Sequence, residues 1–265
     1  MGIDVEISTS AIVLASSPLL NKLLGPTAEY LGEELKSFVQ KRIENVRRIF
    51  SVAERRLGDK LERPGVVSPR VLKRVLNEGS FCEDDLSLEY FGGVLASSRN
   101  EIGRDDRGST FMELLGRLST YQIRSHYIIY TIMKRLYDGG GLNVGIDMDR
   151  KRMRTYIPAS TYIIAMEFCE KENPSLILEH VIYGLVKEQL IGADFAIGSP
   201  KSLPTYFKED MEPGFIIEPS GLGIELYLWA HGRSDLTMQE FLNKDIQFTV
   251  NLDINISPGY KNISQ

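Results

Sequence analysis

From Leu31 to Leu57 apolar residues recur every three or four positions: Leu31, Leu35, Phe38, Val46, Ile49, Phe50, Ala53 and Leu57. That spacing lines one face of a long helix. Pro26-Thr27 opens it, and Glu29, Glu33 and Glu34 sit near the positive end of its dipole. Arg55, Arg56 and Lys60 sit near the negative end, and Pro64-Gly65 stops it. Ser68-Pro69 starts a second helix, an N-cap followed by proline at the first helical position. It carries Val71, Leu72, Val75 and Leu76 and ends at Gly79. Glu83-Asp84-Asp85 opens a third, with Leu86, Tyr90, Phe91, Val94 and Leu95 on its apolar side. Asn100 to Ser109 reads as an exposed loop, and Thr110 to Leu118 as helix. Ser119 and Gln122 spell a capping box, so a further helix begins there. It continues through Ile128, Ile129, Ile132, Met133 and Leu136 to Gly139-Gly140-Gly141.

Beyond the three glycines the period changes. Leu142, Val144, Ile146 and Met148 alternate with polar residues, which predicts a strand. Thr161 to Phe168 reads as a short helix, and Pro174 as a helix start. Ile177, Val181, Ile182, Leu185 and Val186 then run into Leu190-Ile191, as a recognition helix runs into the first strand of a wing. A loop rich in Pro and Gly follows, and the chain returns through Phe215 to Gly221 into a last helix, Leu222 to Ala230. Finally Ile246, Phe248, Val250, Leu252, Ile254 and Ile256 alternate without a break against polar residues. This predicts a half-buried strand of about twelve residues, twice the usual length. It would pair with Leu142 to Met148, the preferred arrangement, or with a partner chain by strand addition. The expected class is α+β, mostly α. An arm (1–25) precedes a helical domain (26–140) and a winged-helix-like domain (141–265) that ends in the long strand.

Composition narrows the function classes. The 265 residues carry a formal net charge of −5, which argues against a protein that coats nucleic acid. Cys82 and Cys169 stand far apart, as in a reducing compartment, so a cytoplasmic location is expected. The apolar run Ala11 to Ala15 is preceded by Asp4 and Glu6 where a signal peptide wants basic residues. Pro18, Asn21, Gly25 and Pro26 interrupt it, so it reads as an arm packed on the body; membrane insertion is the alternative. No G-x-S-x-G or phosphate-loop pattern occurs, and no cofactor or metal is implied.

Several features together resemble the abortive-infection alpha family, bacterial proteins linked to phage resistance. Gly25-Pro26-Thr27-Ala28-Glu29-Tyr30-Leu31-Gly32-Glu33 is similar to that family's opening motif. The likeness continues through the long basic helix, Val67 to Leu72, Glu83-Asp84-Asp85-Leu86, Phe111 to Ser119, and Leu185 through Pro219-Ser220-Gly221. It covers roughly residues 25 to 232. The resemblance implies a role in phage defence, by binding and not by catalysis, and brings no catalytic residue with it. Gly92-Gly93 departs from it, in a helix that two glycines should weaken by about 1 kcal/mol each relative to alanine.

The candidate binding residues are Lys41, Arg42, Arg47, Arg48, Arg55 and Arg56, within a span from Lys36 to Arg63 that has nine basic residues against four acidic ones. Such a stripe could meet nucleic acid or anionic lipid; the plainer reading pairs it with acids elsewhere in the protein. The winged helix displays Glu179, His180, Tyr183, Lys187, Glu188 and Gln189, which suits a protein partner or a homo-oligomer better than DNA, although a DNA-binding regulator remains a rival reading. Asp147, Asp149 and Lys151 would share a strand face. The two carboxylates could hold a divalent cation only with a further ligand, which the sequence does not mark. Asp and Lys on the wet face of a hairpin is the plainer reading. None of His126, His180 and His231 sits at metal-ligand spacing.

Overall fold

The computed structural model of the chain describes residues 27–101, 105–199 and 212–261. The arm and its apolar run lie outside the described residues. The fold is mostly helical α+β, with a small antiparallel sheet in the C-terminal half. Five helices come first: α1 (Thr27–Leu57), α2 (Pro69–Asn77), α3 (Asp85–Ser97), α4 (Arg107–Arg117) and α5 (Thr120–Tyr137). Their starts follow the caps in the sequence. Ser68 accepts from the Arg70 amide, Asp84 from the Ser87 amide, and Ser119 and Gln122 form the reciprocal box. α4 starts earlier than expected, at Arg107.

α3 is buried nearly all round, from Leu86 to Ser97, and packs against both α1 and α9 (Gly221–Ala230). Its two glycines explain how. A Cβ on Gly92 would lie 2.4 Å from the Val52 side chain of α1, and one on Gly93 only 1.7 Å from the Ala230 carbonyl oxygen of α9. The pair lets two neighbouring backbones approach α3 closely, where larger residues would separate them. Ser97 Oγ donates to the Trp229 carbonyl at 2.9 Å, fixing α3 against α9 a turn further on.

After the glycines the structure departs from the alternating pattern. Leu142 to Met148 is not a strand. Gly139 and Gly141 take positive φ, and Asn143 closes a turn by accepting from the Gly145 amide at 3.0 Å. Val144 is buried, but Ile146 and Met148 are exposed, and a short helix α6 (Asp147–Arg152) already begins there. The strand at this end of the sheet is β1 (Thr155–Pro158), which runs into α7 (Ala159–Met166) and then α8 (Pro174–Lys187).

α8 ends without glycine, on Gln189 at φ 57°, and Ile191 makes only an isolated bridge to Pro219. The expected strand at Leu190-Ile191 is therefore displaced to β2 (Ala196–Gly198). β3 (Gly214–Ile217) lies between β2 and β1, antiparallel to both, with Ile216 opposite Ala196 and Tyr156. A two-residue β4 (Tyr260–Lys261) flanks β1.

The long terminal strand is also absent. Residues 245–256 alternate out and in as the sequence implies, with Ile256 buried and Phe248, Val250, Leu252 and Ile254 half-buried against the core. Side chains, not a neighbouring strand, take up carbonyls along this segment. Arg56 reaches Thr249 O at 2.5 Å and Arg135 reaches Ile256 O at 2.7 Å, while Lys134 holds Asn243 O just before it at 3.0 Å. A guanidinium satisfies one carbonyl where a ladder would satisfy a row, so the segment is a strap. One buried apolar cluster extends from Ile49 to Ile256, on both sides of the triple glycine.

Candidate interaction surfaces

The six basic residues of α1 have separate fates. Lys41 pairs with Glu83 at 2.6 Å and Arg48 with Asp85 at 2.5 Å, at the acidic start of α3. Arg42 donates to Ser80 Oγ and the Leu76 carbonyl, and lies 4.1 Å from the ring centroid of Phe81. Arg55 and Arg56 converge on Glu89 of α3, which is only 7% exposed. Arg47 is the most exposed of the six, 70% along its side chain, and lies 3.8 Å from Glu44 on its own helix. Five of the six thus reach across to other parts of the fold and Arg47 pairs within α1, so the residues do not form one free stripe.

α8 has the opposite character. Asn173 caps it, accepting from the Ser175 and Leu176 amides, and Val181, Ile182 and Leu185 anchor its inner face. Leu176, Glu179, His180, Tyr183 and Lys187 recur at helical spacing along its outer face, all exposed. Leu176 is 64% and Tyr183 63% exposed, unusual for a leucine and a tyrosine on one helical face. The Tyr183 ring meets Phe195 edge-on at 5.5 Å, which carries the apolar surface toward Ile197 on the outermost strand β2. On its other flank a groove of about 390 Å³ opens between α8 and the start of α5, where Ser119 Oγ lies 3.2 Å from His180 Nε2. Glu188 turns inward to Arg117 at 2.9 Å and leaves the outer face.

No family model, curated protein or solved structure matches the chain.

The remaining candidates resolve into structural roles. On α6, Asp147 pairs with Lys151 at 2.9 Å, and Asp149 accepts from the Asn143 amide. They occupy a helix and so do not share the face that a strand would give them. Among the described residues no three His, Cys, Asp or Glu side chains gather as a metal site would need, and no helix is long and apolar enough to cross a membrane. Cys82 is half-buried, and desolvation pushes its thiol up to about 12. The sequence does not mark Glu89 as special. Only the packing of α3 on α1 shows that a carboxylate is enclosed there.

His126 and His231 are buried in a cluster with Tyr90, Tyr130 and Tyr227. The Gly223 carbonyl, 3.0 Å from His126 Nε2, can only accept, so Nε2 carries the proton and Nδ1 accepts from the Tyr90 hydroxyl. His231 likewise donates from Nδ1 to the Tyr227 carbonyl at 2.7 Å. Desolvation lowers both from the ordinary 6.5 to about 3. The unfolded chain binds a proton on each near pH 6.5, and the folded chain only near pH 3. Their contribution to stability is therefore complete above about pH 6.5 and falls with pH toward 3, by about 1.4 kcal/mol per unit for each ring. Urea midpoints between about pH 7 and pH 4 should decline steeply, and a His126→Asn variant should lose about half of the slope. Equal slopes in the two proteins would show that His126 does not titrate on unfolding in this range.

Proposed function

We propose that this chain is a phage-defence protein of the abortive-infection alpha type, a winged-helix protein that acts by binding a protein partner through the outer face of α8. The element order α5, α6, β1, α7, α8, β2, β3, with β3 between β1 and β2, supports the winged-helix reading once the short α6 is taken as part of the connection from α5 to β1. The defence role rests on the resemblance of residues 25 to 232. The observation that carries the choice of partner is the exposure of Leu176 and Tyr183 on the helix that would be the recognition helix. A DNA-reading helix needs cations for phosphate and amides or guanidiniums for base edges. This face has one lysine, Lys187, and one acid, Glu179, around two large apolar side chains. A tyrosine beside a groove suits an interface hot spot.

The test is plating efficiency of a phage panel on bacteria that express the wild type or a Leu176→Glu/Tyr183→Glu variant. The expected result is protection by the wild type and its loss in the variant, at equal expression and melting temperature, since neither side chain is buried. Undiminished protection by the variant would remove α8 as the working surface. No protection by the wild type against any phage would remove the defence role. Retention of double-stranded DNA that falls with salt and depends on Lys187 would replace the protein partner with nucleic acid.

A further inference from the structure

On α1, Val39, Ile43, Val46, Phe50, Ala53 and Leu57 are spaced alternately four and three apart, the spacing of a seam between two paired helices. This seam runs beside the line that enters the core at Ile49 and Val52 and is itself buried only at Ala53, on the floor of the groove alongside. Along most of its length it is only half-buried, and Phe50 is 46% exposed. Beside it lies an apolar groove of about 450 Å³, walled by Phe50, Ala53 and Leu57 on α1 and by Leu61, Val67 and Leu72 opposite. The far wall is held in place. Arg99 donates to the carbonyls of Lys60 at 2.9 Å, Leu61 at 3.2 Å and Arg63 at 2.5 Å, and Val66 bridges Asn100.

The charges beside the seam select the occupant. Arg47 and Glu54 lie seven residues apart on its outer edge, and both are exposed. Arg47 has only Glu44 nearby, at 3.8 Å, and Glu54 has no ion pair among the described residues. Opposite charges two turns apart are self-complementary when a helix meets its own copy antiparallel. We infer that α1 is the contact of a two-fold symmetric dimer, paired antiparallel with α1 of a second copy. The axis lies beside Ser51-Val52, which places Phe50 over the small Ala53 of the other copy, at the mouth of its groove. In that register Arg47 and Glu54 of the other copy flank the seam on the same side, offset by two residues or about 3 Å along the helix. They come within reach of each other twice, once on each side of the two-fold axis. Such an isologous contact closes on itself and makes a dimer, not a fibre. The inference uses none of the α8 residues and stands apart from the proposed partner surface.

Sedimentation velocity of the full chain across a micromolar concentration series tests it. The wild type is expected to form a dimer that Phe50→Glu abolishes. Arg47→Glu alone and Glu54→Arg alone each set like charges together on both sides of the axis and should weaken the dimer about tenfold. The double variant Arg47→Glu/Glu54→Arg restores the opposite pairing and should regain wild-type affinity. A wild-type monomer throughout, or a dimer indifferent to both single reversals, would overturn the inference. Weakening by both single changes without recovery in the double would overturn the antiparallel register. All of these side chains are exposed, and unchanged melting temperatures confirm that the variants fold.

Discussion

Gly93→Ala should destabilise the protein by about 3 kcal/mol, although helix propensity by itself favours the change by about 1 kcal/mol. The new methyl group would be built 1.7 Å from the Ala230 carbonyl oxygen, with the carbonyl carbon at 2.3 Å. Both atoms belong to the backbone of α9, so no side-chain rotation relieves the contact; α3 and α9 must separate. That separation strains the Ser97 bond to Trp229 O and the Ser234 bond to Ser97 O, both at the same junction. Gly92→Ala meets Val52 at 2.4 Å and the Ile49 carbonyl at 2.9 Å, on the face of α3 turned to α1, and should also destabilise. Gly221→Ala is the matched control. Its nearest neighbour is Met238 Sδ at 3.7 Å, an ordinary contact, so it should be neutral or stabilising by a few tenths of a kcal/mol. Urea unfolding of the three variants separates the two effects by sign. A more stable Gly93→Ala protein would mean that α3 and α9 are not in this contact.

The same glycines show where the sequence could be read and where it could not. Helix starts were legible because a cap is local: Ser68-Pro69, Asp84, Ser119 with Gln122, and Ser220 each bond an amide within three residues. The in-and-out alternation of residues 245–256 was legible for the same reason. Whether an alternating segment becomes a strand depends on what lies beside its backbone. Here Arg56 and Arg135 arrive from residues 193 and 121 positions away. Periodicity carries no information about such partners. Thr155 to Pro158 failed in the other direction. Four consecutive buried residues have no alternation to detect, yet they pair along their length with β3. The basic residues of α1 were legible as a group but not in their roles, because the acids that claim them lie on the next layer of the fold.

That layer sets the second large effect. Glu89→Gln should cost about 3–5 kcal/mol, the range for breaking a buried ion pair by removing one partner. Glu89 receives Arg55 and, at 2.9 Å, Arg56. Arg55 is 45% exposed along its side chain and can turn to water, but Arg56 is 13% exposed and also holds the strap through Thr249 O. Burial already lowers the Arg56 pKa, opposed chiefly by the charge of Glu89. Without that charge a guanidinium stays enclosed with no counter-ion. Arg55→Ala should cost less than about 1 kcal/mol, as partly exposed pairs do. Replacing both enclosed partners, Glu89→Met with Arg56→Met, should recover most of the loss because no unpaired charge remains. Hydrogen exchange near Thr249 adds a local readout, rising in every Arg56 variant and staying unchanged in Arg55→Ala. A Glu89→Gln protein within about 1 kcal/mol of wild type would show that the cluster is open to water. If the ordering holds, charge reversal at Arg56 reports on folding before it reports on any ligand. Among the six basic residues, the exposed side chains of Lys41, Arg47, Arg48 and Arg55 are then positions at which a loss of binding can be read as lost contact once folding is checked.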